Sequence, residues 1–65
     1  MENIYIVMQK LGFEGEGLAD LPLRAFRSKV AAELYVKEKT KSRDFKELAE
    51  AYDVCEMNIV EAKLT

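Results

Sequence analysis

The sequence predicts an α+β fold: a three-stranded, mainly antiparallel sheet with one or two helices packed on one face, in the order ββα(α)β, first strand central. Three observations point to it. Residues 3–11 are rich in β-branched and aromatic side chains and are apolar on both alternating faces, as in a central strand. A glycine-rich stretch from Gly12 to Gly17 then separates this segment from a second extended one, as in a hairpin. Between the second and the last extended segments lie two stretches of helical periodicity, each preceded by a serine.

In the first strand, Ile4, Ile6 and Met8 share one face and Tyr5, Val7 and Gln9 the other, so one side is expected under the helices and the other partly covered. The loop Gly12-Phe13-Glu14-Gly15-Glu16-Gly17 is a hairpin connection rather than a phosphate cradle. Glu14 and Glu16 would repel an anion, and no Lys-Ser/Thr pair follows. Phe13 in this loop either packs over the sheet or anchors a partner. Leu18 to Arg27 forms the return strand, and Pro22, which cannot donate to a ladder, places it at an edge or a bulge.

Ser28 caps a helix from about Lys29 to Lys39, with Ala32, Tyr35 and Val36 as its apolar stripe, widened by Val30 and Leu34. Ser42 is placed to cap a second helix from about Arg43 to Tyr52, in which Phe45, Leu48, Ala49 and Tyr52 recur at i, i+3, i+4 and i+7. One continuous helix bent near Thr40 is the alternative. In the last segment the apolar set runs Cys55, Met57, Ile59 and then shifts phase to Val60, Ala62, Leu64, which predicts a β-bulge or a strand end that turns toward another surface.

Sixty-five residues make a single domain, 1–65, whose core supplies only about 3 to 5 kcal/mol. Self-association or a bound partner is an economical source of further stability. A single cysteine excludes an internal disulfide and fits a reducing, cytoplasmic setting; no targeting or membrane segment is read at the start of the chain. The net charge of −2 hides a layout: Arg24 to Lys46 carries eight basic residues against three acids, the remainder two against nine.

The residues Tyr5-Ile6-Val7, then Phe26-x-Ser28-Lys29-x-x-Ala32-Glu33-x-Tyr35-Val36-Lys37, then Tyr52-x-Val54 with Ile59 and Glu61, resemble a group of short uncharacterised bacterial and phage proteins. The resemblance implies a hairpin, a helix and a final strand, with a helix on one face of a three-stranded sheet. Its residues are mainly a cap and core positions, so it implies little chemistry. This chain departs from the group in its longer glycine-rich loop and its added helix. With two antiparallel helices the last strand would run parallel to the first; with one it would run antiparallel.

No enzyme is expected, and no cofactor or metal. The chain has no histidine to activate Cys55, which alternates with Met57 and Ile59 as a structural thiol does. The expected function is a non-enzymatic protein–protein interaction module that binds a protein partner or a second copy of itself, a homodimer, with Phe13, Leu21, Pro22, Val60 and Leu64 as candidate contacts. The phage-like resemblance suggests an inhibitor or modulator of a host defence protein, acting in the host cytoplasm. The alternative is a nucleic-acid-binding accessory protein using Arg24, Arg27, Lys29, Lys39, Lys41 and Arg43 of the basic segment 24–46.

Overall fold

The apolar, β-branched run after Met1 and the capped helical repeats take the predicted forms in a computed structural model that describes residues 2–64. The elements are β1 (Glu2–Gly12), β2 (Leu18–Phe26), α1 (Lys29–Thr40), α2 (Arg43–Ala51) and β3 (Val54–Leu64). The sheet has the order β2-β1-β3, and both pairings are antiparallel. The three-stranded α+β architecture with a central first strand is therefore as the sequence predicts.

The hairpin between β1 and β2 closes through a Glu16 N–H donated to the Phe13 carbonyl at 3.2 Å, with Gly15 and Gly17 at φ of 83° and 90°. Those angles favour glycine. Gly12 is required for a different reason: a Cβ there would lie 2.6 Å from Leu18 Cδ2 and 2.7 Å from the Gly17 carbonyl oxygen.

Pro22 is at both of its predicted settings at once. β2 is an edge strand, and its register against β1 shifts between Val7, opposite Arg24, and Met8, opposite Pro22, leaving Leu23 as the extra residue. The bulge predicted near Ile59-Val60 is absent, because β3 pairs with β1 without a register break from Gly12↔Val54 to Glu2↔Leu64. The apolar phase changes in β3 because the strand's apolar side chains pass from one sheet face to the other along a regular ladder.

Two separate helices replace the bent-helix alternative. The Ser28 hydroxyl accepts from Ala31 N–H at 3.3 Å and starts α1. Ser42 serves both helices: its hydroxyl donates to the Lys39 carbonyl at 2.7 Å and accepts from Phe45 N–H at 3.2 Å.

The direction of β3 follows from lengths. Phe26 lies opposite Tyr5, so the chain must return over the seven residue steps from Tyr5 to Gly12, about 23 Å, whereas the twelve residues of α1 span about 18 Å and the nine of α2 about 14 Å. One helix is too short to return the chain from Phe26 to the Gly12 end. Two in series reach it, so Val54 starts opposite Gly12 and β3 runs antiparallel to β1. The parallel last strand expected from an antiparallel helix pair does not occur.

Both helices lie on the face of Tyr5, Val7, Gln9 and Leu11. Tyr35 of α1 meets Phe26, the cross-strand partner of Tyr5, with ring centroids 5.3 Å apart. Gln9 and Met57, also partners, share a cleft with Tyr35, Phe45 and Leu48. Val7 and Ala32 are the fully buried apolar side chains among the described residues, one in each layer. Val30 and Leu34 do not widen the α1 stripe: they are 65% and 55% exposed, on the side of the helix away from Ala32. At 100° per residue they sit opposite the buried face. Ala49 of α2 is likewise exposed.

Candidate functional site

The alternation of β1 puts Ile4, Ile6 and Met8 on the side that carries no helix. Directly opposite residues of antiparallel strands share a face, so the register builds that surface row by row. Ile4 lies beside Ala62, Ile6 between Ala25 and Val60, and Met8 between Pro22 and Asn58. A polar row, Asp20-Lys10-Glu56, closes one end, and Glu2 stands at the other. The result is an apolar patch on a molecule whose Cα extents are 39 × 25 × 11 Å, a thickness that accommodates the sheet and one helical layer and no more.

The two sheet edges differ. The β2 edge is interrupted by Pro22 and by the bulge at Leu23. The β3 edge is eleven residues long, contains no proline and has a regular register on its paired side. Its other side has no hydrogen-bonded strand among the described residues.

The candidate partner contacts are divided by this geometry. Pro22 and Val60 meet on the open face, one on each side of β1, and Val60 is 47% exposed. Leu21 opposes Gln9 and therefore belongs to the helix side. Leu64 ends β3 opposite Glu2, and its side chain lies outside the described residues. Phe13 sits at the hairpin end, stacked on Tyr52 at 5.2 Å and 41% exposed, while Glu14 N–H donates to Asp53 Oδ2 at 3.2 Å. The glycine loop is thus tied to the α2–β3 junction, and Phe13 has an intramolecular role. Sequence reasoning missed Ile4, Ile6, Met8, Ala25 and Ala62 as surface residues. The apolar character of both faces of β1 was the signal.

The basic set separates along α1. Arg27 and Lys29 lie at its start, Lys39, Lys41 and Arg43 at its end. Two members are joined through aromatic rings: Arg24 lies 5.3 Å from the Phe26 centroid, Phe26 meets Tyr35, and Lys39 lies 5.7 Å from the Tyr35 centroid. Beside this ladder, under the α1–α2 joint, is a cleft of about 140 Å³ that includes Gln9, Lys39, Ser42 and Asp44. It is smaller than the roughly 300 Å³ at which small-molecule sites begin.

Among the described residues no group of three or more His, Cys, Asp or Glu side chains is placed to hold a metal ion, and no helix is long and apolar enough to cross a membrane. Cys55 is half-buried opposite Leu11. Comparison of the chain with protein-family models, with curated proteins and with solved structures finds no match.

Proposed function

We propose that the protein is a small, non-enzymatic protein–protein interaction module that receives an extended segment of its partner on the free edge of β3. One observation carries the reading: β3 offers an eleven-residue edge without the proline and bulge that blunt β2. Long regular edges are templates for strand addition, in which backbone hydrogen bonds supply affinity and alternate side chains supply selectivity. The phage-like resemblance of the sequence supports a specific form, an inhibitor or modulator of a host defence protein in the cytoplasm.

The test is a proline scan through Met57, Asn58, Ile59 and Val60, with the protein used as bait for host proteins. Positions whose N–H points away from β1 tolerate proline without loss of the sheet, as read by circular dichroism. At those positions capture of the partner falls at least tenfold. Undiminished capture by a folded proline variant would remove the edge from the proposal.

A second reading is favoured by the Arg24-Phe26-Tyr35-Lys39 ladder, which sets two cations beside a pair of aromatic rings. That combination suits single-stranded nucleic acid, with bases stacking and phosphates neutralised. Binding to generic single-stranded DNA or RNA should then weaken steeply with salt. No binding at low salt ends this reading.

A further inference from the structure

We propose that the open face of the sheet is the interface of a two-fold homodimer, in which a second copy of this chain stacks face to face with the first. The surface is distinct from the β3 edge, so the inference stands or falls separately from the function proposed above. Area, order of charge and core size argue for it together.

Three strands spaced about 4.8 Å apart and about 36 Å long present a face of roughly 500 Å². Two such faces bury about 1,000 Å², the lower bound of a specific protein–protein interface. The need is equally plain. Val7 and Ala32 are the fully buried apolar side chains among the described residues, while Ile4, Ile6, Met8 and Ala62, half-buried, and Val60, exposed, form a surface that no element among the described residues covers. Burying that surface against a second copy would couple dimerisation to folding stability.

The order of residues on the open face of β1 identifies the occupant. It reads Glu2, Ile4, Ile6, Met8, Lys10: an acid, three apolar side chains and a base, symmetric in spacing about Ile6. A two-fold axis through Ile6, across the strands, reverses this order in the second copy. Lys10 then faces Glu2 of the second copy, Met8 faces Ile4, and Ile6 faces Ile6. Because Val60 pairs with Ile6, Val60 faces its own equivalent. Asp20, beside Lys10, is brought toward the end of β2 that Arg27 follows. Sheets packed with strands nearly aligned, at about 30°, keep these pairings within reach of long side chains. A self-complementary patch of this kind is what a two-fold interface requires and what an unrelated partner would not.

The test is the mass in solution by sedimentation over a range from low to high micromolar concentration, on the full chain. The wild type is expected to be dimeric at the upper end, and Ile6→Asp monomeric. Since Ile6→Asp could also unfold the chain, the charge pair supplies an independent arm. Lys10→Glu should weaken the dimer at least tenfold, because the row of positions 20, 10 and 56 would then be wholly acidic and face Glu2 of the second copy. Glu2→Lys should weaken it severalfold, and Glu2→Lys with Lys10→Glu should restore the affinity to within about threefold of the wild type. A strict monomer, a dimer indifferent to Ile6→Asp, or a double variant no better than Lys10→Glu alone would each overturn the proposal. If the β3-edge proline variants still form the dimer but lose a captured partner, both surfaces are in use.

Discussion

The two faces of the sheet are built from neighbouring residues of the same strand, yet only one is a core. Val7 is fully buried under the helices, whereas Ile6, its neighbour in the chain, looks out from a surface on which Val60 is 47% exposed. Nothing in their chemistry separates valine from isoleucine as core formers. The difference comes from the crossover: α1 and α2 both pass over the Val7 side, and no element among the described residues lies on the other. An apolar face without a layer marks where association, rather than folding of one chain, completes the burial.

Opposite substitutions on the two faces would sharpen this contrast most. Val7→Asp would bury an unpaired carboxylate and should cost about 4 kcal/mol or more, unfolding the chain at every concentration. Urea titration checks it, with the Ile6→Asp variant as the counterpart whose loss of stability shrinks as the protein is diluted. An equal loss for both at low concentration would break the comparison. At the hairpin, Gly12→Ala should cost about 1 to 3 kcal/mol, since the added methyl meets the Gly17 carbonyl at 2.7 Å, while Gly15→Ala, in open space but at positive φ, should cost about 1.

Smaller effects probe how the helical layer is held. Val7→Ala should lose about 2 kcal/mol, against less than about 1 for Val60→Ala at concentrations where the chain is monomeric. Ser42→Ala removes the acceptor for Phe45 N–H and the donor to the Lys39 carbonyl, and should cost about 1 kcal/mol with fraying of α2 in hydrogen exchange. Phe13→Ala should lose about 1 kcal/mol with its Tyr52 stack, a stability change expected even if no partner touches Phe13. Smallest of all, Leu34→Gln on the outward side of α1 should change stability by less than about 0.5 kcal/mol in thermal melts.

Much of the fold was legible because its signals are local. Ser28 and Ser42 cap helices through their own neighbours' N–H groups, Gly15 and Gly17 take the positive φ of a turn, and Pro22 rules out a central strand. The candidate site was legible only in part. Val60 and Pro22 were identified through a phase change and a missing donor, but Ile4, Ile6 and Met8 looked like ordinary strand residues. A period-two pattern assigns residues to two faces without saying which is covered. Val30 and Leu34 were misplaced for a related reason: they widen an apolar stripe on paper and lie across the helix from Ala32 in space.

The sequence by itself determined the three strands, the helical stretches with their serine caps, the glycine hairpin and the central place of the first strand, since propensity, capping and periodicity act over a few residues, but it left one bent helix or two open. Tertiary structure alone decided the rest. The course of β3 depended on two helices together covering the stretch from Tyr5 to Gly12, which neither covers alone. The bulge fell at Leu23 because β1 holds a regular ladder with β3 and meets Pro22 on its other side. The open face arose because both helices cross on one side, a choice made by the path of the whole chain and by no residue on the face itself.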